Sequence, residues 1–359
     1  MKNLLRKIAP AFLLSWYHFA WAFLGALLYG FPAKSMVVIG VTGTNGKSTT
    51  VDMLSRIFRE AGLKTASLSS IRFQILDKEW KNTMKMTMPG RFVIQRFLCQ
   101  AKDAGCTHVV LEVTSEGMLQ HRHRFINFHT AVFTNLSPEH IERHGSFESY
   151  KRTKGKLFQI TKRVHVINGD DEHAPYFLKF PAAKIITYSL ADAKDMDLHL
   201  KLLGTFNVSN AMAAVSVAKS QGIPLDVAKR ALEKMEGVPG RMEVVVKEPF
   251  RVIVDYAFTP AALEKVYQTL KPKTQNTEHK IIAQNQKLIC VLGAAGGGRD
   301  KWKRPVLGKL AGTYCDKIIV TNDREKRMLG MRAVGPHASS IVELASLAIF
   351  NKQSAYDLS

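Results

Sequence analysis

The chain has 359 residues, 46% hydrophobic and 23% charged, which is the composition of a folded protein long enough for two domains with cores. Its 51 Lys and Arg residues against 30 Asp and Glu give a formal charge of +21, which favours anionic partners: nucleic acid, nucleotide-type substrates or an anionic membrane surface. No RNA-binding aromatic motif or Cys/His finger spacing is found, so nucleic acid is not an expected partner, and a merely solvated basic surface stays an alternative.

The first predicted element is an apolar N-terminal segment, APAFLLSWYHFAWAFLGALLYGF, at residues 9–31. Lys2, Arg6 and Lys7 precede it, and its length just matches a hydrocarbon core. No small-residue cleavage site follows, and a simple span with a cytoplasmic basic N-terminus would carry the rest of the chain outside. We therefore predict a helix that lies in the membrane interface or re-enters it; a helix packed on the protein itself and a true span are the alternatives.

The next element is a glycine-rich turn, Thr-Gly-Thr-Asn-Gly-Lys-Ser-Thr-Thr at residues 42–50, between a β-branched run and a helical pattern. Such a turn binds the phosphates of a nucleotide, because glycines admit backbone N–H groups, a lysine neutralises charge and a hydroxyl takes Mg²⁺. The strict pattern places glycine where this chain has Val41, and a structural turn is the alternative. The candidate nucleotide-binding residues are Thr44, Asn45, Gly46, Lys47, Ser48 and Thr49.

Strand-like and helix-like runs then alternate as far as residue 236. Strands are predicted at 37–41, 65–69, 108–113, 130–134, 164–167 and 185–188, and helices at 49–61, 90–104, 146–160, 207–221 and 225–236. This alternation is typical of a mostly parallel α/β sheet.

The segment Gly-Val-Pro-Gly at 237–240 predicts a hinge. A smaller Rossmann-like α/β domain is predicted after it, with a polar loop at 271–287, strands at 251–255, 288–292 and 317–321, and helices at 260–270 and 304–314. The predicted domains are thus the apolar segment 1–35, a central P-loop domain at 36–236 and a C-terminal domain at 237–359.

Four cysteines, Cys99, Cys106, Cys290 and Cys315, show neither a metal-site spacing nor a disulfide framework. They are expected to be free thiols in a reducing cytoplasm.

Eight further segments, in order, resemble the motifs of the Mur ligases, most closely the UDP-N-acetylmuramoyl-tripeptide synthetase (MurE-like) branch. They are Glu-Val-Thr-Ser at 112–115, Phe-Thr-Asn-Leu-Ser-Pro-Glu-His at 133–140, His-Gly at 144–145, Tyr-Lys-Arg-Thr-Lys at 150–154, Gly-Thr-Phe-Asn-Val-Ser-Asn at 204–210, Gly-Arg-Met-Glu at 240–243, Asp-Tyr-Ala-Phe-Thr-Pro at 255–260 and Gly-Gly-Gly-Arg-Asp-Lys at 296–301. The resemblance covers about residues 36–323.

The resemblance implies a ligase in which a substrate carboxylate attacks the γ-phosphate of ATP and an amino acid then attacks the resulting acyl phosphate. Lys47 would neutralise the phosphates, Ser48 and Glu112 would hold one Mg²⁺, and His140 would help to hold a second. Lys154 matches the family's carbamylated lysine, whose carbamate orients a metal; a solvated basic helix is its alternative. Catalysis would thus use Lys47, Glu112, His140 and Lys154.

Other matched residues contact the substrates in the family. Asn207 and Asn210 resemble the adenine-side pair, with an N-cap and a surface asparagine as the alternative. Closure about 237–240 would bring Arg241 and Asp255 onto the nucleotide. The implied contacts to an anionic muropeptide-like donor are Thr87, Ser115, Gln120 and Arg122.

The chain departs from the family pattern at four places. The apolar segment stands where the family has a UDP-binding domain, Glu116-Gly117 stands where His-Ala is usual, and Phe258 replaces a histidine. The resemblance is lost after residue 323, including the element that selects the amino acid. The acceptor and the donor's carrier, nucleotide or lipid, therefore stay open.

An amide ligase at the cytoplasmic face of the membrane is the leading hypothesis. A poly-γ-glutamate or folylpolyglutamate type of ligase is the alternative within the same chemistry. A catalytically silent ATP-binding subunit with a protein partner is an alternative of another class, and a nucleic-acid-dependent ATPase is a distant third.

Overall fold

In a computed structural model, the structure describes residues 11–84, 86–248, 250–271, 287–293 and 300–320. These residues form two compact units. The first comprises 11–138, 144–201 and 205–236, and the second comprises 139–143, 202–204 and the described residues from 237 onward. The predicted domain limits stay predictions, and each unit is described by itself.

The first unit is built on an eight-stranded sheet, in which strand order is β4-β3-β2-β5-β1-β6-β7-β8. Its strands are β1 Val37–Thr42, β2 Thr65–Leu68, β3 Arg72–Ile75, β4 Lys78–Lys81, β5 His108–Glu112, β6 Phe128–Phe133, β7 Val164–Asn168 and β8 Lys184–Tyr188. The β2–β3 and β3–β4 pairings are antiparallel and the others parallel. The predicted mostly parallel α/β fold is therefore confirmed.

Helices flank this sheet, as the alternation of runs predicted. In the first unit the helices are α1 Ala11–Leu28, α2 Lys47–Glu60, α3 Arg91–Asp103, α4 Ser115–Leu119, α6 Phe147–Ile160, α7 Ala174–Leu178, α8 Thr205–Ser220 and α9 Leu225–Glu233. The short helix α5 Ile141–His144 belongs to the second unit as far as Arg143. Strands β1 and β5 at the centre are buried because their valine and isoleucine side chains are covered on both faces. Their carboxyl ends, at Thr42 and Glu112, open onto the loops that carry the candidate site.

The apolar N-terminal segment forms α1, which packs against α3. Its small residues Ala22, Gly25 and Ala26 are buried, whereas most of its large apolar side chains are exposed. Within the described residues, the structure holds no helix that is both long and apolar enough to cross a membrane. The helix thus packs on the protein by one side and leaves a wide apolar face outward.

The described residues of the second unit form two strand pairs and two longer helices. Strands β9 Glu243–Val246 and β10 Val252–Val254 pair antiparallel, and β11 Ile289–Leu292 and β12 Lys317–Val320 pair parallel. Its helices are α10 Pro260–Leu270 and α11 Lys303–Tyr314. The strand β9 was not predicted, the predicted loop at 271–287 lies largely outside the described residues, and so does the chain after residue 320.

One cysteine prediction is wrong. Cys290 on β11 and Cys315 before β12 form a disulfide, with their Cα atoms 6.1 Å apart, whereas Cys99 and Cys106 are free thiols. The two cysteines are 25 residues apart in the sequence, and this spacing did not predict the disulfide. They come together because β11 and β12 pair in parallel.

Candidate nucleotide-binding and ligation site

The glycine-rich turn lies between the carboxyl end of β1 and the first turn of α2. Gly43 and Gly46 have φ angles of 153° and 82°, a region that favours glycine. A Cβ at Gly43 would collide with the Thr134 hydroxyl, and one at Gly46 would collide with the Asn210 side chain. Both glycines are therefore required by the close approach of neighbouring elements to the loop.

The loop after β6 holds the turn in place. The Asn45 backbone N–H donates to Asn135 Oδ1 at 2.9 Å, and the Thr134 hydroxyl donates to the Asn45 carbonyl at 2.7 Å. The Thr44 hydroxyl lies 3.2 Å from the Tyr150 hydroxyl, so this predicted nucleotide-binding side chain is engaged within the protein. These contacts fix the conformation of the turn within the protein itself. The N-terminus of α2, which follows the turn, supplies a partial positive charge to the site.

Lys47, Ser48 and Glu112 come together at this end of the sheet. The Ser48 hydroxyl donates to Glu112 Oε2 at 2.8 Å, and Lys47 Nζ lies 3.9 Å from Glu112 Oε1 while it donates to the Thr44 carbonyl at 2.8 Å. The backbone N–H of Ser70 also donates to Glu112 at 2.8 Å. A buried carboxylate and a hydroxyl at hydrogen-bond distance are two of the oxygen ligands that Mg²⁺ prefers, so these residues fit that ion.

Lys154, on α6, is buried beside the same turn. Its ammonium donates to the Gly43 carbonyl at 2.6 Å and lies 4.7 Å from the centre of the Tyr150 ring. The residue is 1% exposed, so the alternative of a solvated basic helix face does not describe it. Its neighbours Arg152 and Lys156 are exposed.

The predicted adenine-side pair lies on α8. Asn207 and Asn210 are both buried, and Asn210 donates to Asn207 Oδ1 at 3.2 Å. Asn210 also lies directly against Gly46. The pair therefore supports the turn from inside the protein, and the alternative of a surface asparagine is wrong for both residues.

The predicted donor-binding residues form a second group in the first unit. The Arg122 guanidinium donates to Gln120 Oε1 at 2.7 Å and to the Met88 carbonyl, and the Gln120 amide donates to Glu116. Burial lowers the pKa of Arg122.

The other two predicted donor contacts flank this group. Ser115 Oγ lies 3.1 Å from His144 Nε2, and Thr87 is half-buried next to Met88. The buried guanidinium of Arg122 is the kind of group that suits a carboxylate ligand.

His140 lies in the second unit, in a cluster with Glu139 and Asp300. One ligand atom from each of the three falls within 4.8 Å of the others. Lys303 donates to both Glu139 oxygens, at 2.8 and 3.1 Å, and Asp300 Oδ1 is buried without a hydrogen-bond partner among the described residues. The cluster therefore offers oxygen and nitrogen donors of the kind a divalent cation takes.

Arg241 and Asp255 also lie in the second unit. Asp255 accepts from the backbone N–H groups of Met242 and Ala257 at 2.7 and 2.6 Å, and burial raises the pKa of its carboxyl group. The Arg241 guanidinium lies 4.8 Å from the centre of the Tyr256 ring. The two residues are thus set on neighbouring segments of one strand pair.

Several residues of these groups were not predicted from the sequence. Asn135 and Thr134 were inside a quoted motif, yet their contacts to the turn were not foreseen. Ser70, which contacts both Ser48 and Glu112, follows β2 and carried no motif signal. Asp300 lies in the quoted motif at 296–301, yet that motif gave no sign that Asp300 would lie beside His140.

Comparisons with known proteins agree with this geometry. The Mur ligase middle domain matches residues 41–197, and the Mur ligase glutamate ligase domain matches residues 240–350. The UDP-N-acetylmuramyl-tripeptide synthetase of Roseiflexus sp. (strain RS-1) is 35% identical over 340 residues, which cover 84% of this chain and 65% of that protein. The UDP-N-acetylmuramoyl-L-alanyl-D-glutamate--2,6-diaminopimelate ligase of Syntrophomonas wolfei is 35% identical over 347 residues, covering 89% and 67%.

Solved structures agree as well. A UDP-N-acetylmuramoyl-L-alanyl-D-glutamate--2,6-diaminopimelate ligase has a TM-score of 0.59 at 30% identity and covers 80% of this chain and 62% of its own. A Mycobacterium tuberculosis folylpolyglutamate synthase has a TM-score of 0.68 at 18% identity, covering 91% and 82%, and shares the fold.

The chain belongs to the Mur ligase family, whose members are ATP- and Mg²⁺-dependent ligases. It spans about 65% of the length of the first relatives it matches.

Proposed function

We propose that this protein is an ATP-dependent amide ligase that adds an amino acid to the carboxylate of a muropeptide-like donor. The observation that carries the proposal is the group of Lys47, Ser48 and Glu112 at the N-terminus of α2. It combines a cation, a helix N-terminus and two oxygen ligands for a metal, which together suit the transfer of a phosphoryl group.

The reaction has two steps. A donor carboxylate oxygen attacks the γ-phosphorus of ATP, the bond to the bridging oxygen breaks, and ADP leaves from an acyl phosphate. The amine of the acceptor amino acid then attacks the acyl carbon, loses a proton and expels phosphate. Lys47 and the N-terminus of α2 offset the charge that repels the two anions in the first step.

Mg²⁺, when bound, would neutralise phosphate charge and align the reacting oxygens. We assign one ion to Ser48 and Glu112 in the first unit, and we assign metal-binding roles separately to a carbamylated Lys154 in the first unit and to His140 in the second. The burial of Lys154 beside Gly43 supports its assignment, since it holds the side chain next to the phosphate-binding turn. The cluster of Glu139, His140 and Asp300 supports the assignment of His140.

The donor is assigned from the relatives, whose names contain UDP-N-acetylmuramyl or UDP-N-acetylmuramoyl peptides. Such a donor is anionic and suits the buried guanidinium of Arg122, with Thr87, Ser115 and Gln120 as further contacts. Because the reaction consumes ATP, we place the enzyme in the cytoplasm, and the exposed apolar face of α1 supports a position at the inner face of the membrane.

The test is to incubate the purified chain with ATP, Mg²⁺, UDP-N-acetylmuramoyl-dipeptide and each of a panel of amino acids. We expect ADP release with one acceptor, together with a product whose mass equals donor plus amino acid minus water. The Lys47→Ala variant removes the phosphate-neutralising cation, while Lys64→Ala, outside the turn, is the matched control. ADP release that is equal in wild type and Lys47→Ala would overturn the proposal.

A further inference from the structure

Helix α1 buries small residues and exposes most of its large apolar side chains. Its small residues Ala22, Gly25 and Ala26 face the protein, while Phe12, Trp16 and Leu28 are 63%, 67% and 66% exposed. A helix of a globular protein normally does the reverse, with its large apolar side chains toward the core. The exposed set is too large for a scattered surface pattern and marks an interaction face: Phe12, Leu13, Trp16, Tyr17, Trp21, Phe23, Leu24, Leu27 and Leu28.

The charged groups that contact the aromatic rings of this helix and of the turn after it are basic. The first 51 residues contain no Asp or Glu, and α1 itself carries no Asp, Glu, Lys or Arg. Exposed Lys34 and Arg124 lie at its rim, with the Lys34 ammonium 4.9 Å from the Phe31 ring and the Arg124 guanidinium 5.9 Å from the Phe19 ring. An apolar face with exposed tryptophans and a basic rim complements the interface of a bilayer that contains anionic lipids.

The opposite side of α1 contacts the predicted donor-binding loop. Ser15 Oγ lies 2.9 Å from His121 Nε2, and His18 hydrogen-bonds Arg91. Arg91 in turn donates through Nε to the Gln120 carbonyl at 3.0 Å. One helix therefore joins the apolar face to the loop that carries Gln120 and Arg122.

We infer that the apolar face of α1 docks on an anionic bilayer and that the ligase takes its donor there, as a muropeptide-like carboxylate carried on a membrane lipid. The donor part of this inference rests on the proposed function. A loop held against a docked helix lies next to the headgroup layer, where the carboxylate of a lipid-linked substrate is found. A soluble nucleotide-linked donor would gain nothing from this arrangement.

Docking is tested first, without turnover. The full chain is sedimented with vesicles of phosphatidylglycerol and phosphatidylcholine, and with vesicles of phosphatidylcholine alone. The test variant is Phe12→Gln/Trp16→Gln/Leu28→Gln, and the matched control is Leu178→Gln/Ile185→Gln/Leu225→Gln, which changes exposed apolar residues elsewhere in the first unit. Circular dichroism checks that both variants are folded.

We expect the wild type and the control to bind the anionic vesicles, and the α1 variant to bind at least tenfold more weakly. Phosphatidylcholine vesicles should bind the wild type less well, because the basic rim then has no counter-charge. Absence of vesicle binding by the wild type would overturn the inference, as would equal losses in the α1 variant and the control. A chain that stays off vesicles and is dimeric in solution would assign the face to a second copy instead.

The donor class is tested with the same proteins. The kcat/KM is measured for a lipid-linked muropeptide in anionic vesicles and for the UDP-linked form in solution. We expect at least a tenfold preference of the wild type for the lipid-linked donor, lost in the α1 variant while its turnover of the soluble donor is unchanged. Equal use of both donors would overturn the donor assignment and leave the ligase intact, whereas no amide from either donor would overturn the proposed function and leave the vesicle result standing.

Discussion

The sulfur of Met88 occupies the space that a Cβ of residue 117 would need, so an alanine at that position would force the Met88 side chain to shift. Gly117 stands where the Mur ligase pattern usually has alanine. Met88 is 2% exposed and its carbonyl accepts from Arg122. The side chains allowed at positions 88 and 117 are therefore coupled sterically beside the predicted donor-binding loop.

This contact predicts a change of sign in a double-mutant cycle. Gly117→Ala alone should destabilise the protein by about 1–2 kcal/mol, because the new methyl group overpacks against Met88. In a Met88→Ala background the same substitution should stabilise by up to about 1 kcal/mol, since alanine is the better helix former in α4. Urea unfolding of the four proteins measures this coupling, and additive effects would refute it.

Lys154 is predicted to act as a carbamate. Lys154→Ala should reduce ligation by orders of magnitude, because it removes the side chain that lies against Gly43. Formate or acetate should restore part of the activity by supplying an anion in its place. Lys156→Ala, two residues along the same helix and exposed, is the control and should retain activity. Full activity of Lys154→Ala would refute the role, and a loss without rescue would refute the carbamate.

Buried His123 predicts an acid-sensitive fold. Burial and the nearby charge of Arg124 lower the pKa of His123 to about 3, from an ordinary 6.5. Below pH 6.5 the His123 imidazole becomes protonated in the unfolded chain but stays neutral in the folded protein. The free energy of unfolding therefore falls as the pH decreases. The contribution of this one group is about 2 kcal/mol between pH 6.5 and 5.

The measurement is urea unfolding at pH 7 and pH 5. His123→Gln should reduce the loss of stability between the two, and His199→Gln, at an exposed histidine, should leave it unchanged. Identical pH dependence in wild type and His123→Gln would contradict the assignment.

We expect the stability of the second unit to depend strongly on the buried ion pair between Lys303 and Glu139. Lys303→Met should destabilise that unit by about 3–5 kcal/mol, because it leaves the Glu139 carboxylate buried without its cation. Lys301→Met, at an exposed neighbour, should cost almost nothing. Hydrogen exchange of α10 and α11 measures the effect, and adding Glu139→Gln to Lys303→Met should recover much of it; equal exchange in both single variants would contradict the prediction.

The parallel strands could be predicted from the sequence because their buried β-branched runs are bounded by turn residues, as at β1 and β7. The hairpin of β3 and β4 was missed because β4 reads Lys-Glu-Trp-Lys, which is exposed along its length and poor in strand-forming residues. Strand β4 is held by its antiparallel pairing with β3 at the edge of the sheet. The Trp80 ring also stacks on the Phe73 ring, with the ring centroids 5.7 Å apart. Such a strand is determined by its neighbours and not by its own sequence.

The candidate site likewise contains some residues that the sequence could predict and others that it could not. The glycine-rich turn, Lys47 and Ser48 are consecutive and follow a strand, so local sequence predicts their meeting. Glu112 lies far away in sequence and was placed by family resemblance. Ser70 carries no local signal, and the motif that contains Asp300 did not indicate its contact with His140. Their positions follow from strand order and from tertiary packing, which no short motif contains.

The central claim, that the chain activates a donor carboxylate as an acyl phosphate, is tested most directly by following oxygen. UDP-N-acetylmuramoyl-dipeptide, or its lipid-linked form in vesicles, is labelled with ¹⁸O in the reacting carboxylate and turned over with ATP and the acceptor. We expect each phosphate released to carry one ¹⁸O from the donor. Release of ADP with unlabelled phosphate would show hydrolysis without activation of the carboxylate and would contradict it.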